Sequence, residues 1–207
     1  HVSYLPENLF FHDKSTDKNL PVLFSKIRKN GTRMIEEAYD PRKVSHNGIW
    51  IDLFPIDGCG DNEKAAIAHT KKLIRCRKMI NNSIYSTRFV TSGKKKRILQ
   101  IAYRIVSVLI PLRLLEKKLD KLITKYSFEN STYVTNFSGA YGIKYVMKKE
   151  VYFDAKGHAG KYSFENMIVK GPIEYDLYLK KLYGNYMELP PLEKRTTGHN
   201  VSQINFQ

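Results

Sequence analysis

A chain of 207 residues with 42% hydrophobic and 27% charged side chains has a globular composition, and its length suits one domain or one domain with an appendage. Two cysteines, Cys59 and Cys76, and no Cys/His run at metal-ligand spacing exclude a disulfide framework and a zinc finger, which makes a reducing, cytosolic location the expectation. The net charge of +15 is localised: residues 64–129 hold 17 Lys/Arg against 3 Asp/Glu, the rest 18 against 17, so one segment carries a field that attracts anionic partners.

The stretch before Leu20 is polar and loop-like, and His12, Asp13 and Asp17 are set aside with it. Leu20 to Arg28 is apolar and partly alternating, Asn30-Gly31 is a tight-turn signal, and Thr32 to Glu36 continues, which predicts two short strands around a turn. Gly48 to Pro55 is the strongest strand signal, with Asp57-Gly58 as a turn behind it. A helix is expected over 62–81, a break at Ser92-Gly93, and a second helical run from Lys94 to Phe128 that Pro111 kinks or splits. Strands are expected at 133–137, 150–153 and 162–169, then a helix over 173–183 ending at Gly184, and an extended or turn-like tail over 188–195. Strands, helices, strands and a helix in that order predict an α+β fold with a mixed or antiparallel sheet covered by helices.

Asp52 stands inside the most apolar strand. Alternation puts Trp50, Asp52 and Phe54 on one face and Ile51 and Leu53 on the other. An ionised carboxylate there is costly unless it is paired or binds a cation, so it is either a strand-end Asp paired with an Arg or capping a turn, or a ligand for a positive ion. Lys26 and Arg28 share a face by two-residue spacing, either to meet phosphates or as the guard residues of a solvated edge strand. Thr32 is a hydrogen-bonding candidate or a plain strand residue. His46 is a general base, a phosphate contact or a loop cap. Trp50 is a core ring or a face for a quaternary ammonium group. Asp57 is explained by its turn, and His158 by a glycine-flanked loop.

Three segments carry a family resemblance. His46-Asn-Gly-Ile-Trp-Ile-Asp-Leu-Phe-Pro-Ile-Asp57, Phe24-Ser-Lys-Ile-Arg-Lys-Asn-Gly-Thr32, and Tyr175 to Arg195 followed by His199 are similar, in the right order, to motifs of the LicD family, which is related to fukutin-like proteins. The resemblance implies a nucleotidyltransferase-like (polymerase-β-like) fold. It implies a transferase that moves phosphocholine or a similar phospho-substituent from a CDP-activated donor to a sugar hydroxyl of a surface glycan: teichoic acid, lipopolysaccharide or capsule. In such a site Mg²⁺ or Mn²⁺ neutralises the donor phosphates. Asp52 matches the family's third metal-binding carboxylate; beside it His46 is the catalytic candidate, and Lys26, Arg28, Thr32, Arg195 and His199 are the candidate donor contacts. An Arg fork suits phosphate, although a tail that simply packs down would account for Arg195 and His199 equally.

The family's opening acidic DxD segment has no counterpart here. The expectation is a single LicD-type domain over 1–207, lacking its N-terminal portion and inactive without it, with a basic helical insertion at about 62–129. Over 94–113, Arg97, Gln100, Arg104, Ser107 and Pro111 form a narrow polar stripe on an otherwise apolar helix. That pattern suits either an interfacial helix on an anionic membrane or a central helix with basic ends. The alternative to an enzyme is therefore a non-catalytic membrane- or polyanion-binding module, peripheral on the inner face of the cell membrane. Nucleic acid is not expected, because no binding motif or aromatic stacking platform accompanies the charge.

Overall fold

The computed structural model describes residues 4–18, 20, 22, 24–36, 42, 44–84, 97–98, 101–102, 105, 109–137, 143–195 and 201–206. The fold is mixed α+β with small antiparallel sheets, and the chain divides into two compact units. The first comprises 1–55, 78–116 and 196–207; the second comprises 56–77 and 117–195. The basic segment 62–129 is thus shared between them.

The first unit contains β1 (Leu9–His12), β2 (Ser25–Lys29), β3 (Arg33–Glu36) and β4 (Trp50–Leu53). β1, β2 and β4 form one antiparallel sheet with β2 in the centre, while β3 pairs with β10 (Val201–Asn205). The Asn30-Gly31 turn is present, with Gly31 at φ 74°, a conformation that glycine adopts without strain. It does not close a hairpin, because β2 and β3 belong to different sheets. The Thr32 hydroxyl donates to the Lys29 carbonyl (2.7 Å) and accepts the Ile49 N–H (3.0 Å), and the Met34 N–H goes to the Asn47 carbonyl (2.7 Å). The approach to β4 therefore lies where a hairpin partner would be. The strand expected from Leu20 begins only at Ser25; Leu20 is buried outside any strand, its N–H held by the Asp17 carbonyl. Residues 97, 98, 101, 102, 105 and 109 are helical, and the chain leaves the helix at Ile110-Pro111, as the proline predicts.

In the second unit β5 (Asp57–Gly58), β6 (Tyr133–Thr135) and β7 (Met147–Lys148) form an antiparallel sheet in that order. Helix α1 (Glu63–Ile84) belongs to this unit through Arg77, and α2 (Leu112–Ile123) from Lys117 on. α1 buries Ala66, Leu73 and Cys76 at helical spacing, together with His69, Thr70 and Arg77. Helix α3 (Tyr175–Tyr183) buries Leu182 in a cluster with Val134, Met147, Val151 and Tyr152, and ends at Gly184 (φ 71°), whose N–H closes on the Lys180 carbonyl. Both cysteines are buried and outside any disulfide, and burial, then the charge of Asp57, pushes the Cys59 thiol up to about 12.

Two strand expectations change here. Residues 149–151 form a 3₁₀ turn, with the Tyr152 N–H on the Lys149 carbonyl (3.0 Å), and Phe153 makes only a bridge to Ala159. The aromatic and β-branched residues of that stretch serve the core rather than a ladder. Residues 162–169 are not one strand but the middle of a hairpin, β8 (Gly160–Phe164) and β9 (Met167–Gly171), turning at Glu165 with φ 52°. The 188–195 tail carries a short 3₁₀ turn at Leu192–Lys194.

Gly58 marks the tightest approach in the second unit. An added Cβ would collide with the Ser127 carbonyl oxygen and lie 2.6 Å from Ser131 Oγ. Overpacking against backbone costs about 1–3 kcal/mol, so Gly58→Ala is expected to lower the free energy of unfolding by that much, as measured by urea titration.

Candidate functional site

The register of the β1–β2–β4 sheet sets two rows of side chains on one face. His12 pairs with Lys26 and Lys26 with Asp52; Phe10 pairs with Arg28 and Arg28 with Trp50. Two-residue alternation then places all six on the same side. The other face carries Phe11, Ile27 and Ile51.

Charge dominates this face. Lys26 Nζ donates to Asp52 Oδ1 at 2.8 Å, with the lysine side chain 3% exposed and the aspartate 23%. The same ammonium sits 4.2 Å from the Trp50 ring centroid and 5.1 Å from that of Phe24. Asp52 Oδ2 has no hydrogen bond from the described residues and lies on the more exposed side of the pair. Arg28 is fully buried. Its Nε donates to His12 Nδ1 (2.7 Å), its NH1 donates to the Gly48 carbonyl (2.7 Å), and its guanidinium lies 5.0 Å from the Trp50 ring centroid. Since a guanidinium only donates, His12 Nδ1 accepts and His12 Nε2 carries the proton, which it gives to Asp17 Oδ2 (3.0 Å). Asp17 Oδ2 also accepts the Ser45 N–H (2.6 Å). A neutral imidazole thus joins a buried cation to a buried carboxylate. Burial lowers the His12 pKa, the bond to Asp17 opposes that, and the Arg28 charge adds to it.

The structure places each sequence candidate except His199. Asp52, Lys26, Arg28 and Trp50 come together on one face. Lys26 and Arg28 are not on a solvated edge; β1 covers that side of β2, and both cations are buried and bonded. Their hydrogen bonds and ring contacts go to Asp52, His12, the Gly48 carbonyl and Trp50. His46 is stacked on Phe10 (centroids 5.0 Å, planes 11° apart). Its Nδ1 accepts the Gly48 N–H (2.9 Å) and its Nε2 bonds Asn30 Oδ1 (2.9 Å), so both nitrogens are engaged and any proton transfer needs one bond to open. Burial, then Arg28 and His12, lower its pKa. Thr32 is committed to Lys29 and Ile49. Arg195 belongs to the second unit, where its Nε donates to the Pro190 carbonyl (2.7 Å). His199 lies outside the described residues. Asp57 is not in a turn but pairs with Thr135 in β5, and burial raises its carboxyl pKa. His158 pairs with Asp154 in an exposed loop (3.1 Å).

His12 and Asp17, set aside as loop residues, are central to the network. The signal for them was Leu9-Phe10-Phe11, an apolar run short enough to be a strand ending at His12. Among the described residues no group of three or more His, Cys, Asp or Glu side chains converges. A hard divalent ion takes about six oxygens, and Asp52 offers one open oxygen while Lys26 holds the other. These residues alone do not make a metal site.

No protein-family model, curated protein or solved structure matches the chain.

The asymmetry of the Lys26–Asp52 pair is testable. Burial pushes the Lys26 pKa down, and the bond and charge of Asp52 oppose this. With the folded value below the unfolded one, the unfolded chain holds more protons between them, and stability rises with pH through that window. Asp52→Ala strands the ammonium, so it is expected to lose about 1–3 kcal/mol near pH 7. Part of that loss returns as the solution approaches pH ~10 and Lys26 deprotonates. Urea denaturation of wild type and variant at both pH values measures this; a gap independent of pH would contradict it.

Proposed function

We propose that the chain is part of a LicD-type transferase with a nucleotidyltransferase-like fold, moving phosphocholine or a similar phospho-substituent from a CDP-activated donor to a sugar hydroxyl of a surface glycan. The observation that carries this reading is Asp52: a carboxylate in an apolar strand, held at one oxygen by a buried lysine and open at the other, in the strand whose sequence resembles the family's motif. Phosphoryl transfer is mostly positioning and charge neutralisation. In this reading a Mg²⁺ or Mn²⁺ ion would take Asp52 as one ligand and draw the rest from donor phosphates and from carboxylates outside the described residues. Lys26 fixes the Asp52 rotamer, and Arg28 with Trp50 fixes the strand beneath it. In the intact natural protein with CDP-choline, a glycan acceptor and Mg²⁺, Asp52→Asn is expected to lose at least about 100-fold in transfer while remaining folded, its melting temperature lowered because the amide accepts from Lys26 without balancing its charge. Retained turnover in that variant removes the assignment.

A second reading, membrane attachment, has its own observation. Ile98, Ile101, Ile105 and Leu109 are all exposed. Their spacings of three and four residues place them on one helical face. Lys94, Lys95, Lys96 and Arg97 precede them, and Arg113 follows. Among the described residues no helix is long and apolar enough to cross a membrane. A basic amphipathic helix lying in an anionic interface accounts for both the stripe and the charge. It would keep the transferase peripheral on the inner face of the cell membrane, beside a lipid-linked acceptor. Each Lys or Arg near such a surface contributes about 1 kcal/mol. The expected outcome is sedimentation with anionic vesicles and not with neutral ones, weakened by salt and by replacing Lys94 to Arg97 with Gln. Ile105→Asp should fold normally and lose vesicle binding; an unfolded variant would return the segment to the core.

A further inference from the structure

The second unit has a cleft that the Asp52 site does not use. It has a volume of about 270 Å³ and is lined by Ala65, Ala68, His69, Lys72, Leu122, Lys125 and Tyr126. Helix α1 supplies one wall. Ala65, Ala68, His69 and Lys72 recur at three, one and three residues and share a face, and the two alanines leave the space that longer side chains would fill. The end of α2 and the turn after it supply the other wall.

The cleft is electropositive. Lys72 and Lys125 are exposed, and no carboxylate among the described residues pairs with either. Lys125 Nζ lies 4.8 Å from the centroid of the Tyr126 ring, and that ring stands edge-on to His69 at 5.0 Å. His69 is 5% exposed. Its Nε2 lies 2.9 Å from the Leu122 carbonyl, an acceptor only, so Nε2 carries the proton and Nδ1 is the nitrogen left to titrate. Phe137 completes its surroundings at 5.6 Å. The groups facing His69 are thus Lys72 from α1, Lys125 and Tyr126 beyond α2, one carbonyl and one apolar ring. Two lysines and an ionisable imidazole line the cleft, with no paired carboxylate among the described residues.

We propose that this cleft is a binding site for a small phosphate monoester, with Lys72 and Lys125 meeting the phosphate oxygens and His69 buried beside them, a donor through Nδ1 only once the ring is protonated. The volume lies just below the range of drug-sized pockets, which fits a phosphate with a short polyol or sugar and excludes a whole nucleotide-sugar. The electrostatics are self-consistent. Burial lowers the His69 pKa, the Leu122 bond opposes this, and Lys125 and Lys72 lower it further. A dianion cancels the two lysines, so ligand binding and His69 protonation favour each other. The site stands independently of the reading at Asp52.

The test is an NMR titration of the His69 imidazole across pH in sodium chloride, inorganic phosphate or glycerol 3-phosphate at matched ionic strength. Saturable shifts of His69 and Tyr126 are expected with both phosphates and not with chloride, together with a raised His69 midpoint. The ester is expected to bind more tightly than inorganic phosphate. Lys72→Gln and Lys125→Gln should each weaken binding about tenfold, the loss expected for one charge-assisted hydrogen bond. Lys170→Gln, an exposed lysine on the β8–β9 hairpin, should leave it unchanged. The same response in chloride, or an equal loss in Lys170→Gln, would mean general screening of a basic surface and would overturn the proposal.

Discussion

The first unit is organised around a buried guanidinium. Removing a charge of that size from water costs several kcal/mol after relaxation, and the cost is offset only by well-placed hydrogen bonds. Arg28 takes them from His12 and the Gly48 carbonyl and rests beside Trp50. Through His12 it reaches Asp17, which in turn holds the Ser45 N–H. Those partners come from β1, the loop after it, the approach to β4 and β4 itself. Satisfying one side chain therefore fixes four stretches of backbone. Gly48 is where this is tightest: an added Cβ would collide with the Lys29 carbonyl and the His46 ring.

Aliphatic side chains would fill the same sheet face without that desolvation cost. A face built instead from His12, Lys26, Arg28, Asp17 and Asp52 has a strong, fixed electrostatic field. Lys26 adds a second buried cation, but its partner sits at the wetter end of the row. The result is a graded arrangement, with positive charge held inside and a carboxylate at the margin with one oxygen open. Such preorganisation suits a group that must meet a charged ligand without rearranging. Breaking the Lys26–Asp52 pair from the Asp52 side leaves a buried ammonium, whereas breaking it from the Lys26 side leaves a carboxylate that water can reach.

Much of this was legible in the sequence. The misfit of Asp52 in an apolar strand, the shared face of Lys26 and Arg28, and the proline break at Pro111 all follow from local spacing. The centrality of β2 did not, because β1 is four residues long and its pairing partner lies beyond a polar loop. Nor did the role of Asp17, whose contacts to His12 and Ser45 exist only once the strands have docked. β3 pairs with β10 across some 165 residues of sequence, which no short-range pattern reports. Residues 150–153 were read as strand because aromatic and β-branched side chains suit a ladder and a core equally. The basic charge was visible as one segment, but it divides between the two units, so the lysines around His69 and the cluster at Lys94 to Arg97 are separate problems.

Trp50 is the chain's single tryptophan, and it lies against both buried cations, two residues from Asp52. Its fluorescence therefore reports on the proposed donor site without interference. Titration with CDP-choline in the presence of Mg²⁺ should give a saturable change in Trp50 emission that Asp52→Asn abolishes while leaving the unliganded spectrum intact. An emission that does not respond to the donor, or that responds equally in Asp52→Asn, would contradict the account.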